Sequence, residues 1–296
     1  MRVNPNPMPD LLASLNQTEL AAQQAALQIS SGRSVNEPSD NPTAAALLIQ
    51  NNDEATFNAG YLQNLSAING QLSTADSTLS SVGSALQQAL SLGIEGANGT
   101  LSDSDRAAIV NQLQGIQSQI ISLANTSYQG NYLFAGTASG TIPYAANSAD
   151  PSGVTYQGNT GVNQVSVGAG YQIEINQPGS QLFSAAGTNN VFLALNNLIT
   201  SLQQNSGIET AVTSLNTASS YLSAQRVFYG NAMSQAETQT TYLNAAKLQI
   251  AQQQTALGGA DMAAAATNLS QAQTDTQAAL EAISKIGQDT LFDYLK

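Results

Sequence analysis

The sequence predicts a mainly α-helical protein with a small antiparallel β insert between two helical halves. Before residue 131 and after residue 188, apolar residues alternate at spacings of three and four, as on one face of a helix. Between these limits they alternate at every second position and glycines separate the short runs, which is typical of β-strands. Apolar seams towards both ends of the chain further predict paired, coiled-coil terminal helices.

The composition excludes several classes of function. The chain has 296 residues and contains no histidine, cysteine or tryptophan. It therefore has no imidazole or thiolate for a Ser–His or Cys–His nucleophile or a zinc-thiolate site. Seven basic and nineteen acidic residues give a net charge of −12, which disfavours nucleic acid and anionic membranes as partners. No apolar run is long enough to span a membrane, and the first residues lack the apolar core of an ordinary secretory signal.

Charged residues are scarce along the chain. They make up 9% of it, against about 25% in a typical soluble domain, and residues 107–149 and 175–208 carry none. Interface cores are similarly depleted in Asp, Glu and Lys. The composition fits two hypotheses equally well. One is a subunit that buries much of its surface against copies of itself, and the other is a monomer kept soluble by Ser, Thr and Asn.

The first half predicts three helices. A weak N-terminal seam ends at Ser31-Gly32, after which Asn41 can cap the next helix and Pro42 can occupy its first position. A strict seam over 65–89 predicts a helix that ends at the glycines of residues 93–99. Ser102 then predicts a cap for the third helix, with acidic residues in its first turn. The N-terminal seam consists of Leu12, Leu15, Glu19, Ala22, Ala26 and Ile29.

The second half predicts three strands and three further helices. The strands cover about 154–156, 165–167 and 171–175. A short helical seam from Val191 to Leu202 is followed by a long one from Ile208 to Leu257, whose register fails at Gly258-Gly259. A final seam contains Met262, Ala265, Leu269, Ala272, Thr276, Ala279, Ile283 and Ile286.

These elements predict three domains. Residues 1–43 with 258–296 would form the terminal helical pair, 44–130 with 189–257 a helical bundle, and 131–188 the β-rich domain. Alanine buries little apolar area, so the alanine-rich terminal pair is expected to be marginal alone. It would become ordered when neighbouring copies cover its second face.

Several short motifs along the chain are distinctive. The segments 29–33 and 38–46 are similar to the N-terminal signature of bacterial flagellar axial proteins, and 38–46 is more similar to hook–filament junction proteins than to flagellin. The segment 130–137 is similar to the motif at the start of the family's outer domain. The segments 261–274 and 291–295 resemble its C-terminal helix and ending. The motif residues are Ser31, Gly32, Arg33, Pro38, Ser39, Asp40, Pro42, Tyr132, Leu133, Phe134, Ala135 and Gly136.

The resemblance implies an extracellular structural adaptor at the hook–filament junction, exported by the flagellar type III apparatus. It would join the hook to the filament and nucleate filament growth. Its partners would be copies of itself in a ring, the preceding hook-associated protein, flagellin, and an export chaperone on its C-terminal segment. The terminal helices would line the axial core and the β domain would face outward. The residues expected to pack between subunits are Leu12, Leu15, Ala22, Ala26, Ile29, Met262, Leu269, Ile283, Ile286, Leu291, Phe292 and Leu295.

Three other classes of protein remain as alternatives. The filament subunit, flagellin, is the first because it shares part of the N-terminal signature. A secreted effector or adhesin is the second. An enzyme is disfavoured because the carboxylates are scattered and none of the lysines, Lys247, Lys285 and Lys296, lies in a Ser-x-x-Lys arrangement. The sequence predicts no catalytic, cofactor-binding or metal-binding residue.

Overall fold

Helices make up most of the structure. A computed structural model describes the backbone of residues 8–293 and the side chains of residues 8–285. The first three helices are α1 (Met8–Ser31), α2 (Pro42–Gly96) and α3 (Asp103–Ala124). After the β-rich segment follow the short α4 (Gly179–Leu182) and a 3-10 turn (Gly187–Asn189), then α5 (Val191–Gln204), α6 (Ile208–Gly258) and α7 (Met262–Asp293). The predicted class, mainly α with a β insert, is confirmed.

The strands form three two-stranded antiparallel hairpins. These are β1 (Ser127–Tyr128) with β2 (Asn131–Tyr132), β3 (Tyr144–Ala146) with β4 (Val154–Tyr156), and β5 (Gln164–Gly168) with β6 (Tyr171–Glu174). The β5–β6 hairpin is held from both sides. Asn64 of α2 donates its side-chain amide to the carbonyl of Ser166 at 3.0 Å, and Gln239 of α6 donates to the carbonyl of Val167 at 3.0 Å.

The seam predicted on α2 is confirmed by burial. Every predicted position from Leu65 to Ala89 is at most 2% exposed and lies in one core with α3, α5 and α6. The glycines that follow do not interrupt the helix at residue 93. A Cβ on Gly93 would lie 2.9 Å from Val212 and 3.0 Å from Leu198, so this glycine allows α5 and α6 to approach α2 closely.

The chain divides into two compact units. One consists of Met1–Phe57 with Ala245–Lys296, and the other of Asn58–Asn244. The predicted boundaries near 43 and 258 coincide with helix ends, whereas these divisions fall inside α2 and α6. The predicted β domain, 131–188, belongs to the same unit as the helical bundle because its side chains extend the bundle's core.

Many serine and threonine hydroxyls on the long helices bond within their own helix. Thr74 and Thr78 on α2 donate to carbonyls four residues earlier, both at 2.8 Å. Thr240 on α6 and Thr274 on α7 do the same at 2.7 and 2.9 Å. Such hydroxyls are already satisfied without a partner outside the helix.

Candidate assembly surfaces

The helices α1 and α7 pair antiparallel through small side chains. Arg33 faces Gly259 in a β-bridge at one end of the pair, and further along Thr276 donates a hydroxyl hydrogen bond to Thr18 at 3.4 Å. Ala25 is 3% exposed on α1, and three alanines on α7 are 2–8% exposed. Because alanine buries little area, this seam contributes modestly to stability. The alanines on α7 are Ala265, Ala272 and Ala279.

The register of α1 differs from the predicted one at alternate positions. Leu15, Ala22 and Ile29 lie in the partly buried seam, as predicted. Leu12 and Ala26 are exposed, while their neighbours Leu11 and Ala25 are more buried. Glu19 is exposed and Thr18 takes its place in the seam. The pairing with α7 therefore uses one set of leucines and alanines and leaves a second set on the surface.

The predicted positions on α7 fall partly within the described side chains. Leu269 and Ile283 lie in the seam with α1, whereas Met262 is 47% exposed. Ile286, Leu291 and Phe292 belong to α7, but their side chains lie outside the described residues, as does Leu295 altogether. Both helices thus contribute to the pair, and exposed apolar side chains remain on each.

Three leucines on α1 form an exposed leucine stripe made of Leu12, Leu20 and Leu27, which are 53%, 54% and 52% exposed. At about 100° per residue, the three lie within about 80° of one another around the helix, and Leu20 and Leu27 lie roughly opposite the seam. The 24-residue helix carries only Asp10 and Glu19 as charged residues. This stripe is an apolar surface that the described part of the chain leaves exposed.

The motif at 31–33 ends α1 and connects it to the α6–α7 turn. Gly32 has φ +68°, the left-handed conformation with which many helices end. The Ser31 hydroxyl donates to the Leu27 carbonyl at 2.7 Å and accepts from the backbone N–H of Arg33 at 3.1 Å. The N–H of Ser34 then donates to the Gly258 carbonyl at 2.8 Å, and that of Ala260 donates to the Gly32 carbonyl at 3.0 Å.

The motif at 38–42 forms the turn into α2. The Asp40 carboxylate accepts the backbone N–H groups of Glu37 at 3.0 Å and Asn36 at 2.9 Å. These two bonds favour the charged form and hold the pKa of Asp40 below its usual value. The Asn41 side chain accepts the N–H of Ala44 at 3.0 Å, and Pro42 is the first residue of α2, so the predicted cap is confirmed. Pro38 and Ser39 are exposed in this turn.

The motif at 132–136 packs into the base of the β-rich segment. Leu133, Phe134 and Ala135 are at most 4% exposed, and Tyr132 is half-buried. The Phe134 ring meets that of Phe183 edge-on at 5.3 Å between centroids. Gly136 has φ +72°, and a Cβ there would overlap the Asn159 carbonyl. This motif therefore has a packing role in the described structure.

Some structurally important polar residues have no signal in the sequence. Asn125 donates to the carbonyl of Tyr144 and accepts its N–H, both at 2.8 Å, which fixes the start of β3. Arg226 of α6 binds Asp76 of α2 through two bonds of 3.0 Å. The partners are 19 and 150 residues apart in the chain, beyond the range of helix or strand periodicity, so the sequence pattern could not identify them.

The described side chains contain no candidate metal site. Within residues 8–285, no three His, Cys, Asp or Glu residues lie close enough together to hold a metal ion. No helix in that part of the chain combines the length and apolarity that crossing a membrane requires.

Two sequence models of the flagellin family match the N-terminal and C-terminal helical parts of the chain. The "bacterial flagellin N-terminal helical region" matches residues 6–139, and the "bacterial flagellin C-terminal helical region" matches residues 205–295. The chain belongs to the flagellin family. Members of this family are structural proteins rather than enzymes, and the family's place is the bacterial flagellum.

Individual relatives of this flagellin-family chain cover part of its length. Flagellar hook-associated protein 3 of Escherichia coli is 32% identical over 165 residues, which are 55% of this chain and 50% of that protein. The chain thus spans about half the length of this curated relative. Flagellin of Listeria monocytogenes is 30% identical over 118 residues, which are 40% of this chain and 41% of that protein.

Similarity to solved structures supports the fold. A candidate flagellar hook-associated protein from Vibrio parahaemolyticus superimposes with a TM-score of 0.67 at 23% identity. The match covers 73% of this chain and 98% of that one.

Proposed function

We propose that this chain is a structural adaptor at the hook–filament junction, where it joins the hook to the flagellin filament and nucleates filament growth. The observation that carries the proposal is the exposed leucine stripe on α1. An apolar surface on a weakly held terminal pair is suited to packing against neighbouring subunits. The similarity to hook-associated protein 3 over half the chain supports the same role.

The proposed partners follow from this position. They are copies of the chain in a ring, the preceding hook-associated protein on one side and flagellin on the other. Exposed residues such as Leu12, Ala26 and Met262 would pack against these neighbours, while Leu15, Ala22 and Ile29 would hold α7. Export through the flagellar type III apparatus, with a chaperone on the C-terminal segment, is part of the proposal.

The second candidate is the filament subunit itself. The 30% identity with a flagellin over 118 residues favours it. The two roles differ in copy number and place, because a filament subunit is present along the whole filament and an adaptor only in one short zone.

The deciding experiment is electron microscopy of a strain that lacks this chain, with an immunoblot of the medium for flagellin. Bare hooks with flagellin shed into the medium are expected of the adaptor. Hooks without filaments and without flagellin in the medium would identify the chain as the filament subunit. Intact filaments would overturn both roles.

A further inference from the structure

A small pocket lies between α2 and the β1–β2 hairpin. Its volume is about 240 Å³. The floor is apolar, formed by Leu133 and Ile175, which are 4% and 8% exposed. The half-buried rings of Tyr128 and Tyr132 also line it. Drug-sized ligands occupy pockets of about 300–1,000 Å³, so this one suits a ligand with a single ring.

The rim of the pocket is polar and uncharged. None of the described residues that line it is Asp, Glu, Lys or Arg. The side-chain amides of Gln71, Gln129 and Asn131 line it without a hydrogen bond to any other described residue. Each amide offers both donors and an acceptor. The pocket therefore presents unused hydrogen-bonding groups above an apolar and aromatic surface.

One rim residue has an unfavourable backbone conformation. Gln129 and Gly130 form the turn between β1 and β2 with φ +51° and +84°. Two-residue hairpin turns of this kind strongly favour Asn-Gly, because asparagine tolerates positive φ better than most residues. Glutamine has the same amide on a longer side chain. Strain of this kind accumulates at ligand-binding positions, where the side chain has a use that offsets the cost.

The ring of Tyr128 is placed against a glycine of α2. A Cβ on Gly70 would overlap the Tyr128 hydroxyl and lie 3.0 Å from the ring carbon that carries it. A glycine inside a helix costs about 1 kcal/mol relative to alanine. Here the absence of a side chain at Gly70 leaves room for the Tyr128 ring, so this wall of the pocket requires a glycine at that position of α2.

We propose that this pocket binds one ring of a neutral saccharide. The weakly positive C–H groups on one face of a pyranose pack favourably against the negative face of an aromatic ring. Its hydroxyls both donate and accept, which matches the free amides of Gln71, Gln129 and Asn131. An anionic ligand is disfavoured because the pocket has no cation and the chain has a net charge of −12.

The test is NMR titration of the full chain, labelled with ¹⁵N, because the side-chain amides of the rim residues give their own signals. The probes are glucose, galactose, mannose and N-acetylglucosamine, with glucose 6-phosphate as the anionic counterpart and the peptide Gly-Tyr-Gly as a non-saccharide. Saturable shifts of the Gln129 and Asn131 amide signals are expected with at least one neutral sugar. Glucose 6-phosphate should bind more weakly than glucose.

Three variants make the result specific. Tyr132→Ala should weaken binding by about tenfold or more, because one aromatic contact is lost. Gln129→Asn should weaken binding while leaving the melting temperature equal or higher, since it creates the favoured turn. Tyr171→Ala, which removes an exposed tyrosine on β6 outside the pocket, should bind as the unaltered chain does.

The proposal is overturned if none of the four neutral sugars gives saturable shifts, or if only Gly-Tyr-Gly does. Unchanged sugar affinity in Gln129→Asn would also overturn it. The outcome is independent of the role at the junction. Electron microscopy of the bacterial strain that lacks this chain reports filament assembly, whereas the NMR titration reports ligand binding.

Discussion

At the residue scale, Asp40 determines how the loop between α1 and α2 is held. Its carboxylate accepts two backbone N–H groups, which only the ionised form can do with both bonds at full strength. The folded pKa is therefore lower than the unfolded one, and the loop is stabilised above the usual aspartate range. This contribution is lost as the pH falls through the folded pKa.

We predict that the Asp40 carboxyl titrates below its ordinary value of 3.8. Carboxyl ¹³C chemical shifts measured against pH will check this. In Asp40→Asn, the protection of this loop from hydrogen exchange should no longer fall as the pH is lowered. A midpoint at or above 3.8 would contradict the assignment.

Gly32 gives a second prediction at this scale. Its φ of +68° is unfavourable for any residue with a Cβ, although no atom lies within 4 Å of the place a Cβ would occupy. Gly32→Ala should therefore destabilise the terminal pair by about 1–2 kcal/mol through the backbone alone. Urea unfolding monitored by hydrogen exchange in α1 will measure it.

The matched control is Gly60→Ala, on an exposed part of α2 with equally open space. Its conformation is helical, so alanine should stabilise the chain by up to about 1 kcal/mol. Equal effects of both substitutions would show that backbone conformation at Gly32 is unimportant.

At the element scale, α1 shows why a seam is easier to predict than its register. Leucine or alanine pairs occur at 11–12 and 25–26, so two seams that share Leu15, Ala22 and Ile29 and differ at the positions between them both satisfy the 3-4 spacing. The choice depends on α7, which the spacing within α1 does not contain. On α2 and α5 the neighbouring residues are mostly polar, and the seams there were predicted correctly.

The exposed leucine stripe leads to a prediction about assembly. Leu20→Asn should change the free energy of unfolding by no more than about 0.5 kcal/mol, because Leu20 is 54% exposed in the single chain. It should nevertheless prevent filament growth if neighbouring subunits cover the stripe. Swimming assays and electron microscopy of the variant strain will show this.

Ile94→Asn is the control, since Ile94 is 65% exposed on α2 and lies outside α1. It should swim normally. If both variants swim equally well, the stripe is not an assembly surface.

At the scale of the whole molecule, the division into units could not be predicted from sequence punctuation. Glycine and proline mark the ends of α1, α6 and α2, and these were found from the sequence. The change from one compact unit to the other falls inside α2 and α6, where the helix continues and only the packing partners change. Polar contacts such as Asn125 with Tyr144 were missed for the same reason, because they depend on residues distant in the chain.

The low charge density predicts an unusual response to salt. Copies that each carry a net charge of −12 repel one another, while the apolar stripe does not need salt bridges to pack. Raising NaCl from about 0.01 to 0.15 M shortens the screening length from about 30 to 8 Å. Self-association followed by sedimentation velocity should therefore strengthen over this range. Weaker association at higher salt would point to assembly through charge pairs.

The hydroxyls that bond within their own helices change what the long helices present to water. Thr74, Thr240 and Thr274 each donate to a carbonyl in the preceding turn. When another surface approaches, such a hydroxyl gives up little hydration, because its donor already has a partner. A surface that counts as polar by composition can in this way be dehydrated at low cost. The chain can thus remain dispersed in water and still form dry contacts once its neighbours arrive.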